Sequence, residues 1–225
     1  MFKTETHIHT AESSACGKLS AEELVKRYHN AGYQTLFISD HFQKRTFAAL
    51  GDVTWEEKVE HFLKGYRVAK KAGEKLGMHI LLSAELQFNN THNDYLLYGF
   101  NETFFKAIPN MLDMSIESFY PYAKKQGVTV IQAHPYRDNK CTPTPEFVDG
   151  FEVHNSNPRH ENFTDRTIEL ATKYHKPMTA GSDTHRLEDV ALSGVMTEKE
   201  ICTVEDYLHA FYAGELTLIK GEETL

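Results

Sequence analysis

An α/β fold closed into a barrel of fewer than eight strands is what this sequence predicts, and three observations predict it. Strand-like and helix-like segments alternate over about 200 residues, the pattern of parallel strands joined by helical crossovers. No glycine-rich phosphate loop follows the first strand, as a doubly wound dinucleotide sheet would require. Titratable residues recur where strands end: His7 and His9, Asp40 and His41, Glu85, His134, His154, and Asp183 with His185. Barrels assemble their sites at that face from several strands, whereas an open sheet concentrates its site at one switch point. At 225 residues the chain is short for eight strand–helix units,.

Each element follows in order. "FKTETHIHT" alternates as a first strand,. "SAEELVKRYHNAG" is helical, opened by the Ser20/Glu23 capping box and closed near Gly32,. "TLFISDH" is a short apolar strand, and Thr54 with Glu57 caps the long helix "TWEEKVEHFLKGYRVAKKAGEKLG",. "HILLSAELQF" and "DYLLYGF" are strands; "SIESFYPYAKKQG" is a helix that Pro121 kinks or breaks,. "VTVIQAHP" and "FVDGFEVHN" are strands, "NFTDRTIELATKYH" a helix, "PMTAGSDTH" a strand and "VEDYLHAFYAG" a late helix. No repeat or low-complexity tract interrupts them, so one domain spanning 1–225 is expected,.

Composition narrows the class. Apolar residues make up 40% and charged residues 25%, an ordinary globular mix,. A net charge of −8 argues against a broad nucleic-acid platform while leaving room for a local basic pocket,. No apolar run reaches the roughly 18 residues of a membrane span, and "MFKTETHIHT" has no signal-peptide pattern,. Cys16, Cys141 and Cys202 read as reduced thiols, so a cytoplasmic protein is expected,. His29, His61, His175 and His209 lie on predicted helices and His79 starts a strand; these read as solvated or capping residues.

The strand-end residues carry the chemistry. Residues two apart on a strand share a face, so His7 pairs with His9 and Asp183 with His185. Two histidines and a carboxylate from separate strands can share one divalent ion: imidazole suits zinc or iron, and carboxylate admits manganese. Glu85 ends an apolar strand, where a metal would neutralise an otherwise costly buried charge,.

H-x-H after the first strand, "SDH", "SAE", "AHP" and a final D-x-H, in that order, resemble the PHP family, the polymerase and histidinol phosphatase domain. The motifs run from His7 to His185. The resemblance implies a distorted (β/α)7 TIM-like barrel and a phosphoesterase centre of two or three divalent ions, zinc, manganese or iron. Carried onto this chain, His7, His9, Glu85 and Asp183 would hold the first ion. Glu85, as a bridge, and His134 would hold the second, and His41 with His185 the third. Two positions depart from the pattern. The third site's further ligand falls at Cys16, with Glu12 as a substitute. A second-site histidine is replaced by Asp94, with His92 two residues earlier.

Two ions about 3.5–4 Å apart would clamp attacking and leaving oxygens and make hydroxide available at neutral pH. Arg137 and Arg159, on loops after strands, are the expected phosphate contacts through their bidentate forks. Asp40, His154 and His160 are candidates for the leaving-group acid; Asp40 can instead orient a ligand from behind. The expectation is an enzyme acting on a small phosphomonoester, with histidinol phosphate, nucleotides and sugar phosphates all open. A phosphodiesterase or exonuclease is the alternative within the family, made less favoured by the acidic charge. An amidohydrolase would want a bridging lysine, which the middle strands lack. A structural zinc domain would be rich in cysteine, unlike this nitrogen- and oxygen-dominated set.

Overall fold

The computed structural model describes residues 1–221; the last four residues of the expected 1–225 domain lie outside the described residues. In chain order the elements are β1 (Phe2–Ile8), α1 (Ala21–Asn30), β2 (Thr35–Ile38), β3 (His41–Phe42), α2 (Lys44–Ala48) and α3 (Trp55–Leu76). Next come β4 (His79–Leu82), β5 (Ala84–Gln87), β6 (Asp94–Tyr98), α4 (Ile116–Lys125), β7 (Thr129–Ala133) and β8 (Gly150–Asn155). The chain finishes with α5 (Thr164–Lys173), β9 (Met178–Gly181), β10 (Gly194–Thr197), α6 (Val204–Ala213) and β11 (Thr217–Ile219).

Two sheets result, ordered β11-β10-β1-β2-β4 and β3-β5-β6-β7-β8-β9. They are one ring in two arcs. β2 runs on into β3, and β4 into β5 across Ser83. The ladder continues through the breaks: Ser83 N bonds Ile38 O, and Glu85 N bonds Asp40 O. Counting those pairs once gives seven positions, and β9 returns to β1 by a parallel bridge between Ile8 and Thr184. Thr6 Oγ1 also donates to Ala180 O at 2.8 Å across that seam. Gly181 permits the close approach, since a Cβ there would sit 2.6 Å from His7 Cβ. The fold is a distorted (β/α)7 barrel, with β10 and β11 as an antiparallel extension.

One strand departs from the all-parallel expectation. β6 runs antiparallel to both β5 and β7. Only residues 88–93 join β5 to β6, and a parallel return needs about a dozen residues or more. The reversal brings the N-terminal end of β6, with Asp94, to the face where the other strands end.

Local chemistry explains the helices. Thr54 and Glu57 complete the capping box of α3, and Gly77 ends it in the left-handed conformation at φ 67°,. The box expected on α1 forms by half: Ser20 accepts from Glu23 N, while the Glu23 carboxylate turns to Arg27 one turn on. Pro121 does not break α4, which runs on through it. Pro121 is exposed, so water can serve the carbonyl it leaves unpaired,. Beneath the barrel, Phe37 of β2 and Tyr98 at the far end of β6 pack on Tyr207 and Phe211 of α6. That apolar plug closes the end opposite the titratable residues.

Candidate metal centre

Alternation along β1 points Glu5, His7 and His9 into the ring, and all three are buried,. Glu85 stands at the centre of what they meet. Its Oε1 lies 3.0 Å from His134 Nε2 and 3.4 Å from His7 Nε2. Its Oε2 lies 2.8 Å from His41 Nδ1 and 3.2 Å from His9 Nε2. Asp183 Oδ1 lies 3.1 Å from His9 Nε2, 3.3 Å from His185 Nδ1 and 3.5 Å from His7 Nε2. Asp94 Oδ2 stands 3.9 Å from His134 Nε2.

Three groups of metal-ligating atoms, each within 4.8 Å of one another, overlap here: His7, His9, Glu85 and Asp183; Glu85, Asp94 and His134; and His9, His41 and His185. Glu85 belongs to the first two and His9 to the first and third. Among the described residues, His7 Nε2, His9 Nε2, Glu85 Oε2 and Asp183 Oδ1 are buried without a hydrogen-bond partner. Each such atom costs about 1–3 kcal/mol. A divalent cation at their common focus would satisfy them, and a set of imidazole nitrogens and carboxylate oxygens suits a first-row ion.

The electrostatics carry the same imprint. Burial works to raise Glu85 and Asp183, but neighbouring cations win. His7 and His41 hold Glu85 well below the carboxylate range, and His7 and Arg137 do so for Asp183. Burial works to lower His7, yet the carboxylates of Glu152, Glu85 and Asp183 hold it well above the ordinary value. Asp94 is pushed up to about 6, first by burial and then by the charge of Glu85. His7 therefore favours the protonated form, and a metal bound there would displace that proton,.

A surrounding layer fixes the ligands. Glu152 Oε1 lies 2.8 Å from His7 Nδ1, which sets the ring with Nε2 facing inward,. Glu152 in turn accepts from His134 N and Asn155 Nδ2. Arg137 donates through Nη2 to Asp183 Oδ2 at 2.6 Å and to Asn155 Oδ1, and through Nε to Asn162. Two of the clustered residues sit at positive φ, His134 at 30° and Asp183 at 51°. Strain of that kind persists where the surroundings over-determine it, and it gathers at functional sites.

The centre opens into a cavity of about 380 Å³, lined by Cys16, His41, His160 and His185 and by the arginines 45, 137, 159 and 186. This is a basic pocket in an acidic chain. Arg159 borders it, but both its terminal nitrogens are bound to Asp189, at 2.7 and 2.6 Å. Asp189 also accepts from the backbone of His185 and Arg186, so Arg159 braces the turn that carries His185. His160 lies on the rim, 2.8 Å from Asp138. Cys16 faces the cavity; burial works to raise its thiol, but His185 and His41 beside it bring it down to about 4.

Two acid candidates lie elsewhere. Asp40 accepts from Thr10 N, Thr10 Oγ1 and Ser14 Oγ at 2.7, 2.7 and 2.6 Å, and so pins the loop after β1. His154 turns Nδ1 to Thr164 and does not line the cavity. Glu12 caps α1 by accepting from Ala21 N. The sequence reading passed over Glu152 and Asp189. Glu152 did leave a signal, as a lone charge in the buried strand "GFEVHN",. Asp189, in an ordinary turn, left none.

Comparison with known proteins fits this architecture. The PHP domain profile matches residues 5–180, and a PHP-associated profile matches residues 162–216. Among solved structures, a two-domain protein from Bacteroides vulgatus, described as containing a predicted PHP-like metal-dependent phosphoesterase, superposes with a TM-score of 0.73 at 16% identity. The match covers 98% of this chain but 65% of that one, so the chain spans less than two thirds of it. An amidohydrolase from Chromobacterium violaceum gives 0.59 at 14% identity, covering 98% of this chain and 99% of its own. A lesion-specific endonuclease from Pyrococcus furiosus gives 0.67 at 14% identity, covering 96% and 57%. These likenesses are of fold. No curated protein sequence matches. With its profile matched over most of its length, and its strand-end histidines and carboxylates gathered at one face, this chain belongs to the PHP domain family.

Proposed function

We propose that the chain, acting as one domain, is a metal-dependent hydrolase of a small phosphomonoester such as a histidinol-phosphate-like compound, a nucleotide or a sugar phosphate. One observation carries the reading: orphaned ligand atoms of His7, His9, Glu85 and Asp183 converge beneath a cavity walled by arginines. His7, His9, Glu85 and Asp183 would hold one ion, and Glu85, Asp94 and His134 a second, with zinc, manganese or iron all suited to the donors,. Bound there, divalent ions lower the pKa of water toward about 7 and neutralise phosphate charge.

The chain's own groups do the rest. Arg137 keeps Asp183 ionised and aimed, and its Nη1, unused in those bonds, is left for a phosphate oxygen. Arg45 and Arg186 on the cavity wall add positive potential that draws an anion in,. His160, bound to Asp138 at the rim, is the acid candidate that can reach a leaving oxygen. The cavity's size favours a compact ester,.

A phosphodiester substrate is the second reading, kept because an endonuclease shares the fold. The test is a panel of monoesters, diesters and oligonucleotides assayed with zinc, manganese and iron. Phosphate release from small monoesters, lost on chelation, is expected. Oligonucleotide cleavage with no release from monoesters would overturn the monoester assignment.

A further inference from the structure

At the end of the barrel opposite the metal centre, three side chains of different chemistry converge. His79 opens β4, and Glu200 and Cys202 lie on the link from β10 to α6. His79 Nε2 stands 3.5 Å from Glu200 Oε1, and each of the three residues offers a ligand atom within 4.8 Å of the others. His79 and Glu200 are half-buried and Cys202 is exposed.

The backbone holds all three in place. Ile201 is sunk in the apolar plug beneath the barrel, so Glu200 and Cys202 on either side of it turn outward. Thr35 Oγ1 donates to Ile201 O, and the neighbouring Gln34 O accepts from His79 N at 2.9 Å. Two consecutive residues where β2 begins therefore fix the link and the histidine against each other. Asp206 Oδ2 accepts from Cys202 N and Thr203 N at 3.1 and 2.9 Å, which caps α6 and sets the turn that carries the cysteine. A half-exposed histidine–glutamate pair is a weak contact by itself, and it gives the thiol beside it no role.

We propose that His79, Glu200 and Cys202 form a zinc site, separate from the metal centre, that joins the start of β4 to the link between β10 and α6. The donors decide the ion. Thiolate and imidazole together suit zinc, whereas manganese and magnesium prefer oxygen ligands. Three protein donors leave a four-coordinate ion one position for water. Binding exchanges the sulfur–hydrogen bond of Cys202 for a sulfur–metal bond, and the proton leaves to solvent.

Cobalt(II), which stands in for zinc and reports a thiolate bond by a charge-transfer band in the near ultraviolet, tests the site on the full chain. The parent protein should take up cobalt with such a band. Cys202→Ser should lose one ion per chain together with the absorbance that ion contributes. His79→Gln keeps the thiol but should weaken that ion by at least the roughly 10- to 100-fold that losing a group behind a ligand costs. Zinc should displace the cobalt in stoichiometric amounts, and excess manganese should not. Cys16 faces the metal centre, so a thiolate band from that side would survive Cys202→Ser. An unchanged band and ion count in that variant overturns the assignment. So does a band that is lost with Cys202 but titrates in His79→Gln as in the parent, which would mark a cysteine binding alone. Uptake at this position only at millimolar cobalt would mark an adventitious ion and overturns it as well. None of these readouts depends on hydrolysis, so the site stands or falls apart from the proposed reaction.

Discussion

The floor of the cavity and its arginine wall hold charges of opposite kinds in opposite states. At the floor, buried atoms of His7, His9, Glu85 and Asp183 point at one another with no hydrogen-bond partner. On the wall, Arg137 and Arg159 are already paired, with Asp183 and Asp189, each at 2.6 Å. A folded chain seldom leaves buried polar atoms unsatisfied, so the floor is shaped for something the chain itself does not supply. The wall does a different task. Arg137 holds Asp183 of the floor, and Arg159 holds Asp189 in the turn that carries His185.

The largest expected effect comes from breaking the floor. Glu85→Ala removes the side chain that the first and second ligand groups share. Metal content and activity should fall together, with kcat/KM down by about 10³-fold or more, since charge stabilisation by such ions is worth several kcal/mol. Elemental analysis beside kinetics checks this. A variant that kept its full metal content would remove Glu85 from the hub.

A smaller effect is expected at the wall. Read from sequence alone, Arg137 touches substrate only, so its loss would spare the metal. The 2.6 Å bond to Asp183 changes that expectation. Among the described residues, Arg137→Ala leaves the buried Asp183 Oδ2 held only by Asn157 at 3.3 Å. Metal affinity should fall about 10- to 100-fold, as for other groups that orient ligands, and inorganic phosphate should inhibit less. Isothermal titration with zinc gives the first quantity and inhibition kinetics the second. Arg137→Lys should recover less than half of the loss in logarithmic units, because an ammonium cannot span Asp183, Asn155 and Asn162 at once.

The smallest effect lies one layer beneath the floor. Glu5 is buried yet fully bonded, accepting from the backbone of Thr6, His7 and Ser182 and from Tyr28. Burial still lifts it from 4.5 to about 7. The folded chain then keeps a proton that the unfolded chain releases, so stability falls as pH rises from about 4.5 to about 7. Glu5→Gln should flatten that slope, which amounts to about 3 kcal/mol as an order of magnitude,. Urea denaturation of metal-stripped protein at pH 5 and pH 7.5 measures it. An unchanged slope would mean that hydrogen bonds, not burial, govern this carboxyl.

What could be read from the sequence divides along the same line. The floor residues were visible because each ends a strand and because strand alternation assigns them a face. The alternation of elements predicts a barrel of fewer than eight strands, and the number seven comes from the family resemblance. The reversal of β6 was not read, although the six-residue link before it is too short for a parallel crossover,. On the wall the arginines were legible, but their carboxylate partners were not. Arg159 and Asp189 are 30 residues apart and Arg137 and Asp183 are 46 apart, and no periodicity connects them. Glu152 lies between these cases: its burial was legible, while its partner His7, 145 residues away, was not. Asp40 shows the cost of reading a motif one residue at a time, since its carboxylate is fully used in holding the loop that carries Cys16.

The reversed strand also bears on how this scaffold could be remodelled. After β1, β3, β7 and β8, a loop on the site face leads into a crossover that returns to the far end of the barrel. Between β5 and β6 there is instead a hairpin, residues 88–93, that begins and ends at the site face. Phe88 at its base packs on Phe119 of α4, so an insertion at the exposed Asn89 and Asn90 is the one that shifts no crossover. The hairpin's last position abuts Asp94, which makes it the most direct place to graft new recognition elements beside the second ligand group while leaving the rest of the ring as it stands.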